Sequence, residues 1–322
     1  MKKKAILFGN GFNQLSPSCP SWNNLLHTLS NKDKKPLLEG IPPTLQYEQV
    51  YLTPNPSFSA TNNIIEKQLK EAVKRRLSKL KSNDFIEDLK KLNVDFFLTT
   101  NYDHTFYDND SKVVRDYDNS EKLYSIHRWK RIDLNGKGKL LYFIHGDLQN
   151  VKSIMLGLDH YGGSLAKIQN YVKGEYTKSG NSNNHSVPSI RKRLEDSLEL
   201  TPLNYGFKDT ECGIISWIDT FFFCDLHIIG FSLDFSEIDI WWLLSRHARL
   251  QKQGLIKNNI YYYPTFPTSD IHNHLPKLRL LERLGVKVVY HKIITDIEKG
   301  LIDYQSIYKE QIRNLKTNLK TK

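Results

Sequence analysis

An α/β fold, with a doubly wound, Rossmann-like parallel sheet and helical insertions, follows from three observations on the 322-residue sequence. A short apolar segment, Lys4 to Phe8, runs straight into Gly9-Asn10-Gly11, as a strand does when it enters a tight turn. The C-terminal third alternates strand-like with helix-like segments of ten or more residues, which makes the strands parallel and lays helices on the sheet. Several apolar runs also stop abruptly at small, polar or ionisable residues, where open parallel sheets bind their ligands.

Taken along the chain, Lys4 to Phe8 is the first strand, and Pro20-Ser21 ahead of "WNNLLHTLS" marks a helix start. A second helix is predicted over residues 62–81, because Ile65, Leu69, Val73, Leu77 and Leu80 recur at helical spacing. Its basic residues, Lys67, Lys70, Lys74, Arg75 and Lys79, fall largely elsewhere and read as a solvated face. "VDFFLTTNY" from Val94 is a buried strand, and "KVVRDYD" and "KLYSIHRWKRI" are expected to be strands as well. Asn135-Gly136 signals a hairpin turn before "KGKLLYFIHGD". "SIMLG" predicts a short strand leading to a helix over about 159–173, and residues 174–190, rich in Gly, Ser and Asn, predict an exposed, mobile loop. A helix from Pro188 to Leu200 follows. Helices "ECGIISWIDTFFF", "SEIDIWWLLSRHARLQK" and "IHNHLPKLRLLERLG" then alternate with strands "DLHIIG", "NIYYYPTF" and "VKVVYHKI". The whole reads as a single domain, 1–322, with insertions at about 35–92 and 159–210 and a basic helical tail, 305–322, ending in solvent.

Composition narrows the function classes. Ala5 to Phe8 supplies four apolar residues before the glycines, against the ~7–15 of a secretory signal. No apolar run approaches the ~18 residues that span a bilayer. Cys19, Cys212 and Cys224 are too few for a disulfide framework or a four-cysteine zinc cage, so a reducing, cytoplasmic setting is expected. The formal net charge of +11 favours anionic partners, but the lysines are dispersed and are not interleaved with aromatics. Direct nucleic-acid binding is therefore not expected.

Four predicted strand ends carry the chemistry: Gly9-Asn10-Gly11-Phe12-Asn13, Thr99-Thr100-Asn101-Tyr102-Asp103, His145-Gly146-Asp147 and Gly230-Phe231-Ser232-Leu233-Asp234. The first has two glycines of G-x-G-x-x-G, with Gln14 in the third place. Such glycines let backbone N–H groups approach a pyrophosphate, and a following helix offers its positive end. Asp33 is not at a strand end and is not read as a ribose-binding acid. Taken singly, each residue has a plainer reading: Asn101 as the cap of a helix starting at Tyr102, Ser232 and Asp234 as N-caps, Asp103 and Asp147 as loop braces. Trp241 and Trp242 read as core or interface, and His272-x-His274 lacks a third metal ligand nearby.

In their order, "GNGFNQLSPSCPSWNNLLHTL", "FFLTTNYDHTFYD", "YFIHGDL" and "LHIIGFSLDFSEIDIWWLL" resemble sirtuin-like domains, nearest to the divergent prokaryotic branch of anti-phage defence proteins. "GNGF" is also similar to another abortive-infection family. The sirtuin-like resemblance covers roughly Lys3 to Leu244 and implies NAD as the ligand. By that likeness Gly9, Asn10, Gly11 and Asn13 meet the pyrophosphate and ribose, and Thr100, Asn101 and Asp103 the nicotinamide ribose and carboxamide. Gly230 and Ser232 approach the adenosine half, and Asn101 and His145 are the catalytic pair. Sirtuin deacylases add a Cys-x-x-Cys zinc module. No Cys-x-x-Cys occurs in this sequence, which shifts the expectation from peptide deacylation to NAD hydrolysis without a metal. The expected activity is release of nicotinamide and ADP-ribose to deplete NAD during infection, gated by a homo-oligomer or a partner protein. The helix over 238–250 is a candidate interface for it. The competing classes are a non-catalytic NAD or ADP-ribose sensor and, less favoured, a nucleic-acid-binding subunit.

Overall fold

The computed structural model describes residues 2–30, 36–53, 62–107, 112–117, 122–134, 136–178, 185–198, 213–267, 271–292 and 303–320. Asp33, Asn135, Cys212 and residues 179–184 of the expected loop over 174–190 lie outside them; in the rest of that loop Tyr176, Val187 and Ile190 are buried, not exposed. In chain order the strands are β1 (Lys3–Phe8), β2 (Phe96–Thr99), β3 (Lys112–Tyr117), β4 (Trp129–Leu134), β5 (Lys137–Phe143), β6 (Thr177–Lys178), β7 (His185–Ser186), β8 (Cys224–Ile229), β9 (Ile260–Tyr263) and β10 (Lys287–Val288). The helices are α1 (Trp22–Leu29), α2 (Pro43–Leu52), α3 (Asn62–Leu77), α4 (Asp84–Lys90), α5 (Leu158–Lys173), α6 (Ile190–Glu195), α7 (Thr220–Phe223), α8 (Ile238–Lys252), α9 (Ile271–Arg283) and α10 (Tyr304–Lys320).

One sheet of eight strands, ordered β10-β9-β8-β1-β2-β5-β4-β3, organises the molecule. From β10 to β5 every pairing is parallel, and β5, β4 and β3 continue it antiparallel. Numbered along the chain, the parallel strands run 3-2-1-4-5-6 across the sheet, the Rossmann-like order. The order reverses between β1 and β8, and that boundary is where such sheets leave a crevice.

Strand sequence explains the layering. In β1, Ala5 and Leu7 enter one core while Ile6 and Phe8 enter another, and all four are buried. A strand covered on both faces has to be apolar throughout. The first core takes in apolar residues of α5, α8 and α9, and the second those of α4 and α10. A third cluster joins α1, α2 and α3 to Tyr102, Ile154 and Leu156 as a helical cap beside the strand ends, whereas α4, also within 35–92, packs on the sheet. Ser21 caps α1 as the sequence suggests, its Oγ accepting from Asn24 N at 3.2 Å. Leu134 pairs with Lys137 across the tight turn, which matches the Asn-Gly signal.

Four sequence expectations change. "SIMLG" forms no strand; Ile154 to Leu156 are buried but extended, pinned by single bonds such as Met155 N to His145 O at 2.9 Å. The helix expected from Pro188 to Leu200 is the short α6, Ile190–Glu195. "ECGIISWIDTFFF" is a 3-10 turn at Trp217–Asp219 followed by the four-residue α7, because Asp219 captures the Ile215 and Ser216 amides and breaks a continuous helix. The basic tail is not a solvated end. Ile307, Tyr308, Ile312 and Leu315 of α10 are buried on the sheet, and Gln311 Nε2 donates to Pro264 O at 2.7 Å and Val289 O at 2.9 Å. Among the described residues no helix is long and apolar enough to cross a membrane.

Candidate functional site

The turns after β1, β2, β5 and β8 converge on a cavity of about 540 Å³ at the point where strand order reverses. That volume lies within the ~300–1,000 Å³ usual for small-molecule and cofactor sites. Asn10 and Gly11 line it after β1, Thr100, Asn101 and Asp103 after β2, His145 after β5, and Gly230 and Ser232 after β8. Trp22 of α1, Tyr161 of α5, and Tyr304 and Tyr308 of α10 complete the walls. The likeness to known proteins is silent here. Neither a protein-family model nor a curated protein matches the chain.

Two of the expected binding residues sit behind the wall. Asn13 is buried and donates to Asp103 Oδ2 at 2.8 Å and to Asn10 Oδ1 at 3.1 Å, while its own oxygen accepts from Thr105 Oγ1 at 3.0 Å. It braces Asp103 and Asn10 instead of facing the cavity. Gly9 packs against Phe231, where a Cβ would come within 2.7 Å of the ring. The same holds more strongly for Gly11. Its N–H, expected to point at a pyrophosphate, donates to Gly230 O at 2.9 Å. A Cβ there would lie 2.7 Å from that carbonyl oxygen and 2.0 Å from the Tyr308 hydroxyl. The glycine is required by close packing of two turns and α10. No long helix follows directly either: a 3-10 turn, Asn13–Leu15, intervenes. Gly11→Ala is expected to destabilise the fold by ~1–3 kcal/mol, as overpacking does, measured by urea denaturation. Adding Tyr308→Phe relieves the hydroxyl clash but leaves the backbone one, so the double variant should recover only part of the loss.

Asn101 does not cap a helix, since residue 102 begins none; its backbone N donates to Thr99 Oγ1 at 3.0 Å. Among the described residues no protein partner engages its side-chain amide, which leaves that amide available at the cavity wall. Asp103 is saturated by Thr105 and Asn13, and burial raises its pKa against those hydrogen bonds. Asp147 lies outside the cavity and acts as a brace, bonded to Lys130 Nζ at 2.9 Å and His104 Nε2 at 2.8 Å. Ser232 and Asp234 do not cap α8, which begins at Ile238; between them Leu233 takes a left-handed φ of 49°. A bulky residue there is rare, and it belongs to the turn that carries Ser232 to the cavity. On α8, Ile240, Leu243 and Leu244 are buried in the core, while Trp241 and Trp242 are half-buried at its edge and Trp241 stacks on the exposed Phe235. The Cys19 thiol is pushed up to about 11 by burial and the Asp103 charge, which makes it a poor nucleophile.

At the deep end, His145 is 1% exposed. Its Nε2–H donates to Asp239 Oδ2 at 3.0 Å, and Nδ1 lies 3.3 Å from the Tyr161 hydroxyl. Burial alone would lower the imidazole pKa, but the carboxylates of Asp239 and Glu237 outweigh it and raise it. Glu237 lines the cavity with Oε2 3.7 Å from His145 Nε2. His145, Glu237 and Asp239 each place a donor atom within 4.8 Å of the others, a set with the composition of a metal site. The contact between His145 Nε2 and Asp239 Oδ2 also gives the set the form of a proton-holding pair. Sequence reasoning missed both acids. Asp or Glu in the first turn of a helix is commonplace because it complements the helix dipole, so "SEIDIWW" gave no reason to look further.

Proposed function

We propose that this chain is an NAD hydrolase that releases nicotinamide and ADP-ribose, a cytoplasmic enzyme acting by NAD depletion in anti-phage defence. The observation that carries this reading is the meeting of four separate strand-end motifs in one cavity at the reversal of strand order, with an ionisable His–Asp pair at its deep end. The charge of the lining supports it. Asp103, Asp234 and Glu237 line the cavity, and no Lys or Arg is among the described lining residues. An acidic wall suits the cationic nicotinamide end of NAD and the oxocarbenium-like centre formed when its glycosidic bond breaks. Asn101 would orient the ribose or the attacking water with its available amide. His145 would govern the proton that hydrolysis releases.

A sensor without turnover needs only the binding walls. Asp239 is buried behind the wall, where it holds His145 and does not line the cavity; an acid kept there at a cost in stability favours turnover. A dinucleotide cleaved without control would harm its host, so gating by self-association or by a partner protein forms part of the proposal.

The test is to incubate the purified full chain with NAD, alone and with candidate activators, and follow nicotinamide by chromatography. Equimolar nicotinamide and ADP-ribose are expected. NAD bound but never cleaved under any condition would replace this reading with the sensor. Steeply salt-dependent binding of DNA or RNA would favour the nucleic-acid reading instead.

A further inference from the structure

We propose that Glu237 is the cavity-facing residue that takes up the proton released on NAD cleavage, held for that task beside His145 and Asp239. The proposal rests on the hydrolase reading above. Both ring nitrogens of His145 already have protein neighbours, Asp239 at Nε2 and Tyr161 at Nδ1, so the ring would have to give one up to accept a proton from the cavity. Glu237 is differently placed. Its side chain is 17% exposed, it lines the cavity, and its Oε2 has no hydrogen-bond partner among the described residues. A nearly buried carboxylate oxygen without a donor is costly. That oxygen is sealed from solvent beside His145 Nε2 at 3.7 Å, and the remaining, partly exposed part of the side chain is what meets the cavity.

The groups facing Glu237 come from every element around it: His145 after β5, Tyr161 on α5, Tyr102 after β2, and Asp234 and Asp239 on its own segment. Burial pushes its carboxyl up to about 7, with Asp239 and Asp234 adding to the rise and His145 and the Tyr161 hydroxyl opposing it. A base poised near neutrality suits proton transfer.

In the step itself, the oxygen of one water bonds to the anomeric carbon of the nicotinamide ribose. The carbon–nitrogen bond breaks and its electron pair stays on the nicotinamide nitrogen, neutralising the pyridinium. The proton of the water passes to the Glu237 carboxylate and returns to solvent when product leaves. His145 acts as a positioning residue, because its charge favours the ionised carboxylate.

Glu237→Gln preserves size but cannot take the proton. Its kcat for nicotinamide release is expected to fall ~10²–10⁴-fold, while binding of ADP-ribose by calorimetry stays at the wild-type level. The wild-type kcat should fall on the acid side as Glu237 protonates, and the residual activity of Glu237→Gln should lack that limb. Added formate should restore part of the rate to Glu237→Ala, a response that a purely structural carboxylate would not give. Wild-type kcat with the acid limb intact in Glu237→Gln would overturn the role of Glu237 and leave the hydrolase reading standing. A wild-type chain that binds NAD and releases no nicotinamide would overturn both.

Discussion

His145→Ala is expected to lower nicotinamide release by ~10²–10⁴-fold, the range lost when proton handling is removed from an active site. The reason lies in the charges the ring separates. Asp239 is fully buried and His145 Nε2 is its hydrogen-bonded partner at 3.0 Å, while Glu237 stands 3.7 Å from the same nitrogen. Without the ring, two carboxylates face each other in a nearly dry site, and one of them has to bind a proton. Glu237, whose pKa burial and the neighbouring acids already raise, then enters the reaction protonated. Asn101→Ala should lose activity by a separate route, through an amide that no protein group holds in place among the described residues. The measurement is single-turnover nicotinamide release beside ADP-ribose binding for each variant. Full turnover in both variants would sink the assignment of these residues.

The sheet was legible because its signals are local. A strand segment with both faces buried is apolar, as Ala5 to Phe8 of β1 and Phe96 to Leu98 of β2 are, and a two-residue Asn-Gly step announces its own hairpin. Strand ends were legible for the same reason, which is why eight of the ten expected site residues line one cavity. What stayed hidden depends on long-range packing. Gly11 looked like a phosphate glycine, but its constraint comes from Gly230 and Tyr308, far away in sequence. Tyr304 and Tyr308 reach the cavity from a tail whose lysines drew attention away from its buried face. Glu237 and Asp239 resemble any acids opening a helix until β5 brings His145 beside them.

Asp219→Ala is expected to cost about 3–5 kcal/mol of stability, the usual penalty for breaking a buried ion pair from one side. Asp219 and Arg193 are both buried, joined at 2.7 Å between Oδ1 and Nη1. Tyr171 donates to the same oxygen at 2.8 Å, and Oδ2 accepts from Ile215 N at 2.8 Å and Ser216 N at 3.2 Å. Alanine would strand the guanidinium, whose Nε already has no partner, and orphan two backbone amides. The damage should travel to the cavity. The segment that Asp219 holds also receives His127 Nδ1 on Ile215 O at 2.9 Å and sends Ser216 Oγ to Ile126 O at 2.7 Å, and it leads directly into β8. Beyond β8 lies the Gly230–Ser232 turn, so ADP-ribose affinity should weaken along with stability. Urea denaturation and calorimetry on the same samples give both quantities. Arg193→Met with Asp219→Leu should recover much of the stability, because an apolar pair of similar volume leaves no uncompensated charge. The two orphaned amides remain in that double variant, and whatever loss persists measures their share. A single Asp219→Ala variant as stable as wild type would mean that this pair does not hold the β8 approach in place.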